Sequence, residues 1–380
     1  MLATLSFLLM LIWVGYALFG RRWRIEPRLG HAIEPCTDAV IAVVPARNEA
    51  AELPHTLPSL LTQAHPDLRI ILVDDHSDDG TADVAHQLAA VANAGDRLIV
   101  LSAPALPAGW TGKVWAQHHG VERARELGAE WVWLTDADIR HDPDVLQRLL
   151  ATAHRRQRDF VSIMARLRCT TAWEKLLIPA FTYFFAGLYP FRPIGDDASR
   201  QAGAAGGCML IRRAALAHAG GMASIPNAVI DDVSLARACK ASGARLWLGY
   251  DPGVNSTRGY DTLQAIWDMV ARSAYTQLRY NPAALAGCVV GLAYVFFAPL
   301  AAMLWGSGGV KLLGLVTYAA MVRTYTPMVV YLGAAPGWAL ALPVSAALYT
   351  GMTISSAWRH HAGAGAAWKG RAYGTGLPRD

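Results

Sequence analysis

Residues 131–138 read Trp131-Val132-Trp133-Leu134-Thr135-Asp136-Ala137-Asp138, an apolar run that ends in two carboxylates one residue apart. Period-two alternation places Asp136 and Asp138 on the same side of an extended segment leaving a buried strand. Two acids so placed repel each other and resist desolvation. Both therefore need partners, which a divalent cation and a phosphate-bearing ligand would supply. The spacing alone is weakly specific, because solvated loop acids and helix caps share it. Here Asp142-Pro143 predicts a separate cap and first helical position for the next helix, so capping leaves Asp136 and Asp138 unexplained.

Upstream of this stretch, short apolar runs alternate with longer amphipathic ones, the pattern of an α/β domain. Val40-Ile41-Ala42-Val43-Val44 predicts a buried strand that breaks at Pro45-Ala46-Arg47-Asn48-Glu49 and leads into a helix to about Gln63. Arg69-Ile70-Ile71-Leu72-Val73 predicts a second strand, ending in Asp74-Asp75 and followed by a helix through Ala94; residues 97–101 predict a third. A helix is expected over 113–127, where Ala116, Gly120 and Ala124 stand four apart and suit close packing on a sheet. Ligands of open α/β sheets bind beyond the carboxyl ends of the strands, and the Arg47, Asp75 and Asp136 clusters all fall at such ends.

Further acids and glycines follow. Asp231-Asp232 precedes a helical pattern, where two acids can act on a ligand or simply complement the helix dipole. Gly206 and Gly207, in Gly203-Ala204-Ala205-Gly206-Gly207-Cys208, would let backbone approach a ligand closely. Cys208 reads as a small buried residue rather than a nucleophile. Lys113 closes the loop Pro107-Ala108-Gly109-Trp110-Thr111-Gly112-Lys113 at a helix start, where a diphosphate could meet the helix N-terminus, although the P-loop spacing is absent.

Taken together, Val44-Pro45-Ala46-Arg47-Asn48-Glu49, Val73-Asp74-Asp75, Asp136-Ala137-Asp138 and Ile230-Asp231-Asp232 resemble, in order and spacing, the inverting family 2 glycosyltransferases of the GT-A fold. The resemblance implies a Rossmann-like, mostly parallel sheet and a nucleotide-sugar donor, with UDP-sugar expected. It implies donor contacts from Pro45, Arg47, Glu49, Asp75, Lys113 and Asp136, with the Asp75 carboxylate accepting the imide N–H of a uracil-type base. It implies a Mg²⁺ or Mn²⁺ held by Asp138 and Asp136, which would neutralise charge on the leaving diphosphate. Asp232 would be the base that takes the acceptor's proton, with Asp231 departing from the family's usual Glu. A single base without a second carboxylate nucleophile suits direct displacement. Gly206 and Gly207 would meet the sugar and acceptor. The segment Arg272-Ser273-Ala274-Tyr275-Thr276-Gln277-Leu278-Arg279-Tyr280 resembles a Q-x-x-R-W element imperfectly. Arg279 would face the diphosphate and Tyr280 the acceptor, while the departures count against a processive polysaccharide synthase.

The remaining chain points to a membrane. The stretch Leu2–Phe19 is almost unbroken apolar sequence followed by Arg21, Arg22, Arg24 and Arg28, which reads as a signal anchor (1–20) and basic linker (21–38) with the following domain (39–281) cytoplasmic. Within that domain, 173–191 is apolar and aromatic and fits an interfacial helix or, alternatively, a core helix. Residues 282–358 predict a multi-pass membrane region, with 310–332 suspected of being re-entrant or interfacial, and a basic cytoplasmic tail (359–380) follows. With Gly109-Trp110-Thr111-Gly112-Lys113 and Trp368-Lys369-Gly370-Arg371-Ala372-Tyr373, the pattern is most similar to the hopene-associated membrane glycosyltransferases of bacteria, which implies a lipid acceptor such as a hopanoid or related isoprenoid at the inner membrane.

Composition agrees with this assignment. The 380 residues carry a formal net charge of +5, scattered and without aromatic interleaving, which argues against nucleic acid. Mean hydropathy is positive. The five cysteines lack C-x-x-C spacing and predict free thiols. Two other classes are separable by test. A nucleotidyltransferase would release pyrophosphate rather than a nucleoside diphosphate, and a non-catalytic nucleotide-binding scaffold would tolerate loss of Asp232.

Overall fold

The computed structural model describes residues 2–31, 33, 36–363, 367–368 and 371–372. Two compact units divide the chain: Pro27–Leu167 with Tyr189–Arg258 and the tail form a sheet unit, and Met1–Glu26, Arg168–Leu188 and Gly259–Gly365 form a helical unit. The segments 21–26, 168–188 and 259–281, expected with the linker and catalytic domain, thus belong to the helical unit.

The sheet unit is built on eight strands: β1 Val40–Ala46, β2 Leu68–Asp74, β3 Leu98–Ser102, β4 Trp131–Thr135, β5 Ile139–His141, β6 Phe160–Arg166, β7 Cys208–Arg212 and β8 Leu246–Ser256. Their order is β3-β2-β1-β4-β7-β6-β8-β5. The first half, β3-β2-β1-β4, is parallel, as expected of strands linked through helices. β7 enters antiparallel between β4 and β6. Pro45 lies inside a central strand, normally excluded because proline cannot donate to the ladder. Here β4 pairs β1 only as far as Val43, so Pro45 meets a neighbouring strand on the β2 side alone.

The strand residues are apolar because both sheet faces are covered. Trp131, Val132, Trp133 and Leu134 have no exposed surface. Gly120 of the helix Gly112–Glu126 sits so close to the sheet that a Cβ there would lie 2.3 Å from Val43 Cγ1, the close packing expected of the small-residue stripe. The next helix starts later than predicted, at Val145 after Asp144 rather than at Pro143, because Ile139–His141 is itself a strand paired with β8. Asp144 supplies no side-chain cap and instead pairs with Arg148 at 3.0 Å.

In the helical unit, Leu2–Phe19 is one helix whose Trp13 indole donates to Val295 O at 3.3 Å and packs edge-on against Phe296. Two helical stretches, Pro282–Trp305 and Pro336–His361, are long and apolar enough to cross a membrane. Residues 310–332 lie almost wholly within one unbroken helix, Gly308–Tyr331, which continues through Pro327. The 173–191 segment forms the helix Ala172–Leu188, continuous through Pro179, with one face buried. Its Tyr183 hydroxyl lies 3.2 Å from Thr324 Oγ1, and its Leu177 carbonyl accepts from Tyr349 at 3.0 Å. That side therefore packs on helices of its own unit. In the tail, Ala367–Trp368 pairs antiparallel with Arg371–Ala372, while Lys369, Gly370 and Tyr373 lie outside the described residues.

Candidate active site

The loops leaving β1 and β2 are zipped together by residues chosen for short polar reach. Asn48 N donates to Ser77 Oγ at 2.9 Å, Glu49 N to Thr81 Oγ1 at 2.9 Å and Ala50 N to Asp79 Oδ2 at 2.9 Å. Arg47 extends its guanidinium to the carbonyls of Asp75 and His76. Arg47 therefore braces the loop that carries Asp75, a structural use the sequence reading did not anticipate. The Asp75 side chain is wholly buried at the end of β2, and its N–H bonds the carbonyl of Ala46 at 2.8 Å.

Lys113, Asp136, Asp231, Asp232 and Gly206 come together at the end of β4. Lys113 enters from the first turn of its helix, Asp136 follows β4 directly, and Asp231 and Asp232 open the helix Asp231–Ala241, anchored by buried Val233, Leu235 and Ala236. Lys113 Nζ lies 2.8 Å from Asp136 Oδ1 and 3.2 Å from Asp231 Oδ2, bridging the two acids rather than standing alone as a phosphate-facing cation. Burial lowers the affinity of the Lys113 ammonium for its proton, but Asp136 and Asp231 outweigh burial and raise its pKa well above the ordinary range. Burial also raises the Asp136 pKa, with Asp138 and Asp231 adding to the shift and Lys113 opposing it.

Asp232 accepts the Gly206 N–H at 2.8 Å through Oδ2 and its neighbour Val233's N–H at 2.7 Å through Oδ1. Burial and the adjacent Asp231 push its carboxyl up to about 7, against the opposing pull of Lys113 and these two N–H donors. A carboxylate poised there is matched to general-base work at neutral pH. The Gly206 loop is held from below: Ala205 N donates to Ser162 Oγ at 2.9 Å, and Thr135 Oγ1 donates to Gly207 O at 2.8 Å. A Cβ on Gly207 would sit 3.0 Å from Ile139 Cδ1, so glycine is the residue that lets this loop pass the exit of the D-x-D segment.

Asp138 faces a different partner. Its Oδ2 accepts from Arg258 Nε at 2.5 Å, and Arg258 Nη2 reaches Glu49 Oε1 at 3.0 Å. Thr257 N and Oγ1 both donate to the Asp138 carbonyl, at 2.8 and 3.1 Å, so the end of β8 fixes both the backbone and the carboxylate of Asp138. Neither Thr257 nor Arg258 stood out in the sequence, because they lie about 120 residues from Asp138 in no recognisable motif.

Arg279 and Tyr280 belong to the helical unit. Both take left-handed backbone angles, and the Tyr280 ring stacks on His360 at 4.3 Å. Cys208 is buried beneath Trp133, whose indole donates to its sulfur at 3.4 Å, and burial raises its thiol to about 12, consistent with an inert core residue. All five cysteines are free. At the amino ends of β1 and β4, Cys36, Asp38 and His154 also gather. Asp38 is already bound by the Trp131 indole and His154, and burial raises the Cys36 thiol to about 11, so the set closes on itself.

The acids at the carboxyl ends of the strands fit a divalent cation. Asp136, Asp138, Asp231, Asp232 and Glu49 outnumber Lys113 and Arg258, the two side-chain cations that pair with members of the group. Their oxygens are the hard donors that Mg²⁺ and Mn²⁺ take.

The sequence matches the glycosyl transferase family 2 profile over residues 41–220 and the glycosyl transferase family group 2 profile over residues 131–352. No curated protein sequence matches it. The fold is similar to that of the mannosyltransferase PcManGT from Pyrobaculum calidifontis in complex with GDP-Man and Mn²⁺, with a TM-score of 0.52 and 20% identity over 94% of this chain and 98% of that one. S. aureus TarS aligns with a TM-score of 0.42 and 14% identity over 76% of this chain and 54% of that one. The glucosyl-3-phosphoglycerate synthase of M. tuberculosis aligns at 0.41 and 19% over 64% and 80%.

Proposed function

The chain belongs to glycosyl transferase family group 2 and is a glycosyltransferase, and on that premise we propose that it transfers a sugar from a nucleotide-sugar donor to a membrane lipid with inversion at the anomeric carbon. The observation that carries this reading is the environment of Asp232, a half-buried carboxylate poised near neutrality and held between the glycine loop and the acid cluster around Lys113. Asp232 takes the proton of the acceptor hydroxyl as that oxygen attacks the sugar. Gly206, by binding Asp232 through its backbone, orients the base. Asp75 accepts a hydrogen bond from the donor base, with a UDP-sugar as the expected donor. Asp138 and Asp136 would hold a Mg²⁺ or Mn²⁺, which when bound supplies positive charge to the departing diphosphate. Lys113 pairs with Asp136 and Asp231 and holds the two acids together.

The lipid acceptor is supported by the two helical stretches of membrane-spanning length and by the anchor-like Leu2–Phe19 helix followed by arginines. We read the enzyme as a multi-pass protein of the inner membrane with residues 21–281 cytoplasmic, and a hopanoid or related isoprenoid as acceptor. Mass spectrometry of lipids from cells with and without the gene tests the acceptor: loss of one glycosylated lipid class is expected, and an unchanged lipid profile would overturn it. Protease added outside intact cells should leave 21–281 uncut.

A further inference from the structure

Arg258 occupies the place where a cation is needed. Its guanidinium lies against Asp138 and Glu49, and so joins the loop after β1 to the loop after β4. The Asp138 side chain is 13% exposed and that of Glu49 5%, so the acids of this bridge are largely buried, while the Arg258 side chain is 30% exposed. A divalent ion bound to Asp138 must share that carboxylate with a guanidinium already at hydrogen-bond distance, and two cations there repel each other through a medium that screens poorly. The conflict is relieved if the arginine has somewhere better to go. A diphosphate brought in with the ion offers that, because a guanidinium binds phosphate oxygens through paired N–H donors as well as it binds carboxylates. Arg258 is placed to make the exchange: the neighbouring Thr257 is pinned to the Asp138 carbonyl, and the guanidinium sits at the end of a long stem that can carry it from one anion to another.

We propose that Arg258 is a positioning residue that couples metal binding to donor binding: it competes with the divalent cation for Asp138 and releases that carboxylate to the ion by transferring its own hydrogen bonds to the donor's diphosphate. This rests on the reading of Asp138 as a metal ligand. The consequence is ordered loading. The ion alone binds weakly, and the nucleoside diphosphate and ion bind cooperatively.

The test uses the full-length protein in detergent and titrates Mn²⁺ by the loss of its free-ion electron paramagnetic resonance signal, alone and with saturating UDP or GDP. For the parent, whichever diphosphate binds should tighten Mn²⁺ by at least about fivefold, the lower end of typical coupling between ligands. Arg258→Gln should bind Mn²⁺ alone more tightly than the parent by a similar factor and lose most of the tightening by nucleotide; Arg258→Lys, which keeps the charge, should stay near the parent. Equal Mn²⁺ affinity in the parent and Arg258→Gln without nucleotide would overturn the coupling while leaving the metal site standing, provided Asp138→Asn loses Mn²⁺. Retention of Mn²⁺ by Asp138→Asn would overturn both readings. Should Arg258→Gln prove unfolded, Arg258→Met takes its place in the same titration with the same expected and overturning results, and absence of any tightening by nucleotide in the parent overturns the coupling.

Discussion

Gly206 and Asp232, 26 positions apart in the chain, are joined by one short hydrogen bond, the backbone N–H of the glycine donating to Oδ2 of the acid at 2.8 Å. A Cβ at Gly206 would stand 3.4 Å from that same oxygen and 3.6 Å from Lys113 Nζ. The glycine therefore leaves the carboxylate's approach open while still holding it. Asp232→Asn keeps the shape and removes the proposed base. Transfer should fall about a hundredfold or more, the usual contribution of a general base, with donor affinity unchanged. Parallel measurement of single-turnover transfer and nucleotide binding checks this, and transfer at the parental rate would move the base to Asp231 or to water.

The pH profile follows from the same group. Asp232 must be ionised to accept a proton, and its carboxyl titrates at about 7, so kcat/KM should rise with pH up to about 7 and then level. Lys113 lowers this pKa, so Lys113→Gln should displace the rising limb to higher pH. The raised pKa also means that the native state holds a proton the unfolded chain would release. This contribution to stability is therefore lost as pH rises through about 7, and Asp232→Asn should melt above the parent at pH 8.

Metal removal is expected to stop turnover. Chelator should abolish transfer by the parent and added Mn²⁺ or Mg²⁺ should restore it, whereas Asp138→Asn should stay inactive in either ion at concentrations that rescue the parent. Full activity in excess chelator would remove the divalent ion from the mechanism.

Asp75→Ala addresses the donor instead of the chemistry. A hydrogen bond to a charged group contributes about 1.5–3 kcal/mol, so on the proposed role of Asp75 the donor's KM should rise roughly tenfold or more while kcat changes less, because such a contact would be made equally in ground and transition states.

Packing gives a stability prediction. Gly120→Ala would gain about 0.5–1 kcal/mol in helix propensity. The new Cβ, however, would come within 2.3 Å of Val43 Cγ1 and 3.1 Å of Val73 Cγ2, both held in the sheet. Overpacking of that kind costs about 1–3 kcal/mol. The clash outweighs the propensity gain, and thermal melting of the variant should fall by several degrees.

The strands and helices of the first half were legible because each is announced by local pattern: β1, β2 and β4 are apolar runs closed by acids or proline, and the 113–127 helix carries its small-residue stripe. The clustering of Asp136 with Asp231 was foreseeable only through the family resemblance, since nothing local ties residues so far apart. Three things were not legible. The strand Ile139–His141 is too short to register and depends on pairing with β8, which is why the following helix starts late. Lys113 was placed toward a phosphate, but the charge of the neighbouring acids captures it. Arg258 gains its meaning only from the end of a long strand that the chain reaches after most of the site has been laid down.

The antiparallel pairing of β4 with β7 sets Thr135 directly across from Cys208, so the last strand residue before Asp136 and the first after Gly207 are one rung of a ladder. The residues between them also carry Asp136, Asp138, the paired strands Ile139–His141 and Phe160–Arg166 and the glycine loop, so only the loops that join those elements can vary in length without altering how the acid and the glycine meet. Engineering can graft new segments into those loops and keep the reaction centre intact. A single residue inserted within Cys208–Arg212 would instead reverse the faces of Met209 and Ile211 and pull the glycine loop out of alignment. The site is thereby buffered against drift in one stretch of the gene and intolerant of it in another a few codons away.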